Sequence, residues 1–554
     1  MSDASLSSSS TSGSSRRRKW QLDNNHNVIN KISNHDPSVS SLEIAQASDD
    51  PDPDILQYFV QPDDCEQLES LGQLVGENTH LKELRMNEED LGIDPFYAGL
   101  SNNKSVSRID LYWFEDGQKI RLLYPFFKGN RNLTELNIMY CILGREGCRL
   151  LASAIGKYIS PLTSFSIDSN ADEGDGHSDE DLAVIIQALN LRPQLLQELT
   201  ITGENIGLRT LAALEGLVCH ATELHTLDIH DNFLYDEVTS NHMSVVLAAA
   251  MKSSNLVSLK LQQWTGGIDI GEEGIDVLAN SLPKSNLMHL DLAGTIIPGS
   301  GERVDALAVA LPMSNLVTLN LSNINIRESG VKALVRALRS NPSLETLELN
   351  SCGISDKGIV MLAEALANNS HLKSIDLSGN DAITSDVWIA FLNTLCDTST
   401  VNKTYLSNHT LVGISLTSSR RGSGASPRRD VVSALELNQI GEGLVAIEKI
   451  LKHHRHFDIQ PFLQWNFKVL PLLVGWLEYV DDLSDEHINE TKMRKLTVIY
   501  EFVQSLPKLF VLTYSLQELS ALRYEQSRRR MYQMQPDPDL DSRIAQVEQR
   551  LAML

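Results

Sequence analysis

The sequence predicts an α/β solenoid, a stack of strand-and-helix repeats that is covered at its C-terminal end by a helical cap. Residues 344–354 read L-x-x-L-x-L-x-x-C-x-I, and apolar residues at helical spacing (Leu362, Ala365, Leu366) follow them. The same pattern returns at steps of 25 to 34 residues, most often 28 or 29. Because one such repeat cannot bury its apolar side alone, copies of it must stack above and below.

Alternation along residues 346–350 assigns the two faces of each predicted strand. Leu347 and Leu349 are two residues apart, so they share one face of an extended chain, while Thr346 and Glu348 share the other. We therefore expect the aliphatic residues of all repeats to form one buried ladder behind a continuous parallel sheet, with Leu227, Leu290, Leu319 and Leu347 in line.

The pattern recurs twelve times along the chain. The repeats begin at Leu81, Val106, Leu133, Leu162, Leu196, Leu224, Leu256, Leu287, Leu316, Leu344, Leu372 and Val401. A thirteenth, irregular repeat is a candidate at Val39, with Leu42 and Ile44 in the strand positions.

Asn or Cys at the ninth position of a repeat bonds backbone groups in the turn after the strand. Cys141, Asn170, Asn232, Cys352 and Asn380 occupy that position. These two cysteines are thereby explained by packing, and no C-x-x-C pair among the six cysteines indicates metal or redox chemistry.

The repeat length, with a helix on the outer side, resembles the ribonuclease-inhibitor type of leucine-rich repeat over residues 24–413. That resemblance implies a horseshoe with an inner parallel sheet and outer helices. The segment Tyr405–Leu411 contains S-N-H-T-L, and Pro461–Leu463 and Leu470–Trp476 follow it. These motifs resemble leucine-rich-repeat proteins of diatom-type algae; the resemblance implies architecture but no activity, and residues 412–431 depart from that group as an insertion.

Composition divides the chain into five segments. They are a disordered, Ser-rich basic tail (1–23), the solenoid (24–413), a flexible basic linker (414–431), a helical capping domain (432–513), and polar helices with a tail (514–554). Within the linker, Arg420-Arg-Gly-Ser423 and Ser426-Pro427 make Ser423 and Ser426 candidate phosphorylation sites. One hypothesis is that the linker lies on the acidic face of the solenoid until phosphate expels it.

The formal net charge of −25 disfavours nucleic acid as the main partner, because phosphate would be repelled. It is compatible with a basic protein surface as partner, or simply with solubility. The N-terminal segment has no apolar core of a signal peptide, and the apolar stretch Val469–Val480 is too short to span a bilayer. We expect a cytoplasmic protein; the cluster Arg16–Lys19 leaves nuclear import as an alternative.

No motif indicates catalysis, a cofactor or a metal, so we expect no enzyme. Gly299-Ser-Gly301 is typical of a repeat turn. Lys452–His456 is typical of a polar helix end, with a metal site as the weaker interpretation. The acidic insertion Asp172–Glu180 has carboxylates near EF-hand spacing but lacks the terminal Glu, which favours a solvated loop over a calcium site.

The expected site is the concave face of the sheet, formed by positions three, five and seven of each repeat. It carries nine acids (Glu83, Asp110, Glu135, Asp168, Glu198, Asp228, Asp291, Glu348, Asp376) and four bases (Arg85, Arg108, Lys260, Lys403). Acids side by side on adjacent strands repel. A basic partner would relieve that repulsion; alternatively, the face only shares the general acidity of the chain.

Near the N-terminal end of this face, Tyr112 and Trp113 should lie beside Met139 and Tyr140. An aromatic cluster ringed by polar groups is typical of a binding hot spot. The alternative is that some of these rings pack inward, because Phe114 breaks the pattern of its repeat. The predicted partner-binding residues are Asp110, Tyr112, Trp113, Met139, Tyr140, Asp168, Asp228, Asp291, Glu348 and Asp376.

The sequence thus favours a protein-interaction scaffold. One rival is a GTPase-activating protein, since the Ran-activating leucine-rich-repeat family resembles this fold and is acidic. Another is an inhibitor of a basic enzyme, although ribonuclease inhibitors are cysteine-rich and this chain is not.

Overall fold

The structure is a computed structural model. It describes residues 26–44, 59–60, 65–87, 94–114, 117–159, 161–169, 176–235, 238–263, 269–296, 300–340, 342–380, 385–416, 429–439, 445–454, 518–526, 529 and 537–552. The chain forms two compact units. We call residues 1–391 with 413–427 the repeat domain, and residues 392–412 with 428–554 the helical domain.

The strands among the described residues all lie in the repeat domain. They are β1 (Ser41–Ile44), β2 (Phe59–Val60), β3 (Glu83–Asn87), β4 (Arg108–Tyr112), β5 (Glu135–Met139), β6 (Ser164–Asp168), β7 (Glu198–Thr202), β8 (Asn205–Ile206), β9 (Thr226–Asp228), β10 (Phe233–Leu234), β11 (Ser258–Lys260), β12 (His289–Asp291), β13 (Thr318–Asn320), β14 (Thr346–Glu348), β15 (Ser374–Asp376) and β16 (Gly413–Ser415).

A helix follows nearly every strand, because apolar residues recur at helical spacing after each turn. The helices are α1 (26–33), α2 (Cys65–Glu77), α3 (Asp94–Leu100), α4 (Gly117–Gly129), α5 (Gly144–Lys157), α6 (Asp179–Leu189), α7 (Leu208–His220), α8 (Ser240–Ala250), α9 (Gly271–Ser281), α10 (Ser300–Ala310), α11 (Arg327–Arg339), α12 (Asp356–Ala365), α13 (Ser385–Leu395), α14 (Val401–Tyr405), α15 (Arg429–Asn438), α16 (Val445–His453), α17 (518–526) and α18 (Pro538–Ala552).

Fourteen strands form one open sheet in the order β16-β15-β14-β13-β12-β11-β9-β7-β6-β5-β4-β3-β1-β2, and its pairings are parallel. Leu227, Leu259, Leu290, Leu319 and Leu347 lie in register on neighbouring strands, each at most 1% exposed. The predicted leucine ladder behind a continuous parallel sheet is therefore confirmed. Strand β1 pairs with β3, so the irregular repeat at Val39 contributes a strand of the same sheet.

The structure differs from the prediction at the last repeat. Residues Val401–Tyr405 form helix α14, so Lys403 belongs to a helix and not to the sheet. The hydroxyl of Thr404, the fourth residue of the repeat predicted at Val401, lies 2.7 Å from the Asp397 carbonyl and 3.2 Å from the Thr400 carbonyl one turn earlier, contacts that a helical threonine can make. The last strand is Gly413–Ser415, which begins at the last residue of the predicted solenoid and extends into the predicted linker (414–431). Residues 417–428 lie outside the described part of the chain.

The turn after each strand is held by the ninth residue. The Asn380 amide donates to the carbonyls of Leu349 (2.9 Å) and Leu377 (2.8 Å), and its oxygen accepts from the backbone N–H groups of Cys352 and Ile354 (3.0 Å each). Asn232 makes the same kind of bonds, and the Cys352 thiol donates to the Leu321 carbonyl at 3.1 Å. The predicted backbone-bonding role is confirmed for these residues; Asn170 lies outside the described residues.

The helical domain is held around a buried lysine on α16. Lys449 is 0% exposed, and its Nζ donates to the carbonyls of Leu395 (2.6 Å) and Asn408 (2.9 Å) and to Nδ1 of His409 (3.1 Å). Asn408 and His409 belong to the S-N-H-T-L motif. This motif therefore binds helix α16.

Elsewhere in this domain, α17 and α18 pack through Leu522, Leu540, Ile544 and Val547. The predicted centre of the cap, residues 455–517, lies outside the described residues. Within the described part of the chain, no helix is long and apolar enough to cross a membrane.

Candidate partner-binding face

Side chains that point away from the buried ladder form what we call the open face of the sheet, which corresponds to the predicted concave face. Its middle residues follow one another in register from strand to strand. This central row reads Glu43, Arg85, Asp110, Asn137, Ser166, Thr200, Asp228, Lys260, Asp291, Asn320, Glu348, Asp376 and Ser415.

Charges alternate at the N-terminal end of the central row. Arg85 lies between two acids, 3.7 Å from Glu43 and 3.0 Å from Asp110. Asp110 also accepts hydrogen bonds from Arg108 (3.1 Å) and Asn137 (2.6 Å), and it is only 2% exposed. Asp110 therefore orients the two arginines and presents little surface of its own to a partner.

A second neutralised group lies in the middle of the row. Asp228 accepts from His230 Nδ1 at 2.6 Å and from Lys260 Nζ at 3.2 Å. Burial alone would raise the pKa of the Asp228 carboxyl, but His230 and Lys260 hold that pKa below its ordinary value. Lys260 stands between Asp228 and Asp291 and offsets their repulsion, although Asp228 still raises the pKa of the Asp291 carboxyl.

Acids dominate only toward the C-terminal end. Asp291 accepts from Asn320 Nδ2 (3.1 Å), and burial raises the pKa of its carboxyl. Burial raises the pKa of Glu348 as well, and Asp291 and Asp376 raise it further. Glu348 and Asp376 are neighbours in register with no base between them. The expected repulsion between acids on adjacent strands is found in the central row at this pair. Where Arg85 and Lys260 intervene, the acids lie two strands apart and the base offsets their repulsion.

The four predicted aromatic-patch residues lie together at the ends of β4 and β5. The rings of Trp113 and Tyr140 stack with centroids 4.9 Å apart and planes 21° apart, and the Tyr112 ring lies 6.4 Å from that of Tyr140. Trp113 is 38% exposed. Met139 is in register with Tyr112 and Asp168, and the Asp168 carbonyl accepts from the Tyr140 N–H. We call Tyr112, Trp113, Met139 and Tyr140 the aromatic patch.

Trp113 and Tyr140 occupy an unusual backbone position. The eighth residue of most repeats is left-handed, with φ between +52° and +70°; these residues are Trp113, Tyr140, Gly203, Asp231, Gly294, Asn323, Ser351 and Gly379. Gly, Asn and Asp adopt this conformation readily, whereas a bulky side chain is strained there by roughly 1 kcal/mol or more. Packing within the fold does not call for two large aromatic residues at this position.

Phe114 is the aromatic residue of this repeat that packs inward, and Trp113 does not. It is 0% exposed, and its ring lies edge-on to that of Tyr97 with centroids 6.5 Å apart. The irregular repeat thus buries Phe114 and leaves Trp113 at the surface.

The described end of the acidic insertion, residues 176–180, is anchored inside the repeat domain, contrary to the expected solvated loop. His177 is buried; its Nε2 accepts from the Leu143 N–H (3.1 Å) and its Nδ1 lies 2.9 Å from the Glu204 carboxylate. Glu204, 0% exposed, also accepts from Ser169 Oγ (2.6 Å) and from the His177 N–H (2.8 Å). The sequence does contain an indication of this contact. Glu204 stands where other repeats have Asn at the ninth position, and it does so in the repeat that follows the insertion containing His177.

Asp179, from the same insertion, caps the next helix. Its carboxylate accepts from the backbone N–H groups of Gly207 (2.9 Å), Arg209 (3.1 Å) and Thr210 (2.9 Å) at the start of α7. Such a cap satisfies donors that an α-helix leaves unpaired. Within the described residues, no group of three His, Cys, Asp or Glu side chains could hold a metal ion.

Replacing Asp179 by Ala should destabilise the repeat domain by about 1 to 2 kcal/mol, because three N–H groups lose their acceptor. Urea denaturation followed by circular dichroism measures this loss. Asp181→Ala is the matched control. Asp181 lies in the same first turn of α6, and among the described residues its carboxylate accepts a hydrogen bond only from Ser178 Oγ (2.7 Å). Equal losses in the two variants would contradict the capping role.

Comparisons with known proteins agree with the geometry. Residues 129–152, 340–363 and 368–386 match a family model described as Leucine Rich repeat. Together with the parallel sheet and its helices, these matches define a leucine-rich-repeat protein with a solenoid fold.

Among solved structures, the chain is similar to a chain in the crystal structure of the Rad7 and Elc1 complex in yeast. The identity is 16%, the TM-score is 0.40, and the match covers 70% of this chain and 96% of that chain. A search of curated proteins gave no match.

Proposed function

We propose that this protein is a non-enzymatic scaffold that binds another protein on the open face, with the aromatic patch as the main contact. One observation carries the proposal: two large aromatic side chains stack on each other at left-handed positions that small residues (Gly, Asn, Asp or Ser) fill in other repeats. Strained residues of this kind persist where function needs them. A stacked, partly exposed Trp–Tyr pair is typical of the anchors that dominate protein interfaces.

The charge pattern of the open face supports a partner that is basic on one side. Paired charges surround the aromatic patch at Arg85, Arg108 and Asp110, whereas Asp291, Glu348 and Asp376 stand together at the far end. Complementary charge would set the orientation of the partner along the sheet more than its affinity.

The repeat length favours the ribonuclease-inhibitor type of repeat for this scaffold. Among the described residues, none specifically supports GTPase activation or inhibition of a basic enzyme. Both alternatives stay predictions from the sequence. Ser423 and Ser426 lie outside the described residues, so control of the open face by the linker also stays a prediction.

Replacing both Trp113 and Tyr140 by Asn should abolish partner binding while the fold survives. Asn323 adopts φ +60° at the equivalent position, so Asn fits this backbone. Relief of backbone strain should offset most of the lost ring stacking, which leaves stability within about 1 kcal/mol of wild type. Loss of a hot-spot residue costs about 2 kcal/mol or more, roughly thirtyfold in Kd.

The measurement is affinity purification of the full chain with quantitative mass spectrometry, followed by titration of each purified candidate partner. A matched control carries Tyr235→Asn and Tyr524→Asn, which remove two exposed aromatic side chains outside the patch. The proposal fails if every partner that the wild-type chain binds directly still binds the folded patch variant with unchanged Kd.

A further inference from the structure

Four oxygen-bearing side chains lie together at the C-terminal end of the open face. We call Glu348, Asp376, Ser322 and Asn350 the acceptor cluster. Glu348 and Asp376 are neighbours in register, and Asn320 is in register with Glu348 on its other side. Ser322 and Asn350 follow Asn320 and Glu348 by two residues, which places them on the same face of their chains.

Most acceptor atoms of this cluster have no hydrogen-bond donor among the described residues. Ser322 is only 3% exposed, yet its Oγ has no partner among the described residues, and the buried Oδ1 of Asn350 has none either. The Glu348 carboxylate forms no hydrogen bond or ion pair with a described residue, and one Asp376 oxygen accepts only from the Ser378 N–H (2.8 Å). Buried acceptors without donors cost about 1 to 3 kcal/mol each. The cluster is therefore suited to a ligand rich in N–H groups.

The surrounding charges point to a cation. Elsewhere in the central row a base stands beside the acids, as Arg85 stands beside Asp110. The nearest base in register with Glu348 is Lys260, three strands away, or roughly 14 Å at the usual strand spacing, and it is bound to Asp228. Burial, Asp291 and Asp376 together raise the pKa of Glu348, which agrees with a carboxylate that has no nearby cation.

We propose that the acceptor cluster binds an arginine side chain from a basic segment of the partner protein. The inference rests on the proposed function, because it assumes a partner on the open face, and it adds the chemistry that this end of the face selects. Arginine fits better than lysine, since the guanidinium presents five donors in a planar fork and the ammonium presents three from one nitrogen. Glu348 and Asp376 lie on adjacent strands about 4.8 Å apart, a spacing at which one guanidinium can donate to both carboxylates.

The test uses two fluorescein-labelled probes, a tetra-arginine peptide and a tetra-lysine peptide of equal charge, titrated against the full chain by fluorescence polarisation. The tetra-arginine peptide should bind at least about fivefold more tightly. Glu348→Gln should weaken it about tenfold, and Ser322→Ala should weaken it about threefold. Asp376→Asn tests the second acidic residue of the cluster. Its fold is expected to survive, because the Asn side chain keeps an acceptor for the Ser378 N–H.

Glu83→Gln is the matched control, because it removes the same charge from an exposed residue of the same face. Its effect on the tetra-arginine peptide should be under about twofold at moderate salt. Equal affinity for the two peptides would overturn the inference. So would equal losses in Glu348→Gln and Glu83→Gln, which would indicate attraction by net charge alone.

The chain's own linker is the competing occupant, since Arg420 and Arg421 follow Ser415 by only a few residues. A full chain with Arg420→Ser and Arg421→Ser separates the two sources. Unchanged affinity for the tetra-arginine peptide supports the partner as the source. A rise of about fivefold or more would show that the linker occupies the cluster in cis and would overturn the assignment to a partner.

Failure of this inference is distinguishable from failure of the proposed function. The peptide titrations need no natural partner and report only on the acceptor cluster. The Trp113 and Tyr140 variants report only on the aromatic patch, at the opposite end of the central row.

Discussion

Replacing Glu204 by Ala should destabilise the repeat domain by about 3 to 5 kcal/mol, a large share of the stability of a typical domain. Glu204 is fully buried and accepts from Ser169 Oγ and from the N–H and Nδ1 of His177. Its removal takes the acceptor from the buried His177 N–H. It leaves His177 Nδ1 and Ser169 Oγ with longer contacts only, to each other at 3.2 Å and from Ser169 Oγ to the Cys141 carbonyl at 3.5 Å. The insertion that carries His177 would lose its anchor at the same time.

The measurement is urea denaturation of the full chain followed by circular dichroism. Glu198→Ala is the matched control, because Glu198 lies in the same repeat but on the exposed side of β7, where it contacts Ser164. That control should change stability by no more than about 0.5 kcal/mol. A loss below about 1 kcal/mol in Glu204→Ala would show that the insertion does not depend on this carboxylate.

Stability of the helical domain should rise with pH in two separate windows. Burial lowers the pKa of Lys449 to about 7, and burial together with the nearby Lys449 ammonium lowers the pKa of His409 to about 4. Both groups bind protons more weakly in the folded chain than in the unfolded chain. Folding therefore becomes more favourable as pH rises from about 4 to 6.5 through His409, and from about 7 to 10.5 through Lys449.

The upper window should be worth several kcal/mol, since one pKa unit corresponds to about 1.4 kcal/mol. Other titratable groups around this lysine are Cys396, whose pKa burial raises, and Lys452 and Asp397 beside it. None of them reverses the direction of the change below pH 8, because a buried thiol stays neutral there.

Amide hydrogen exchange of α14 and α16, corrected for intrinsic rates, measures local stability at each pH. Lys449→Met should flatten the upper window, because no group then titrates between the S-N-H-T-L motif and α16. Lys452→Met is the matched control on the same helix; its side chain is exposed, so the upper window should persist. A pH profile of wild type that is flat from 7 to 10 would disprove the proposed cost of burying the Lys449 ammonium.

The ladder of aliphatic residues could be predicted from sequence because each repeat carries the same apolar spacing, and the spacing occurs again in every repeat. Leu227, Leu290, Leu319 and Leu347 needed no contact outside their own repeats to be placed. The last strand was missed for a physical reason. Leu411, Ile414 and Leu416 have the apolar spacing of a repeat strand. The Ser, Gly and Arg residues directly after them are typical of a linker, so the sequence favours a linker over a strand there.

The candidate site was only partly within reach of sequence reasoning. Periodicity placed Tyr112 beside Met139, yet nothing local showed that Trp113 and Tyr140 adopt left-handed backbone conformations. Likewise, the sequence alone predicts that Asp110 is an exposed acid. Only the strand register shows that Arg85 and Asn137 donate hydrogen bonds to its carboxylate. Which charges neutralise one another depends on neighbours about 25 residues away, and this information appears only when the strands pair.

The step from the repeat at Leu162 to the next is the longest, at 34 residues, yet β6 and β7 pair residue for residue along their whole length. Extra chain enters after the strand and leaves before the next one, so it displaces no side chain of the open face. Added length between these two strands is thus compatible with an unbroken register, which makes their connection a place to insert an epitope or a fluorescent label. Such an insertion is expected to leave the paired side chains of β6 and β7 on the open face in register.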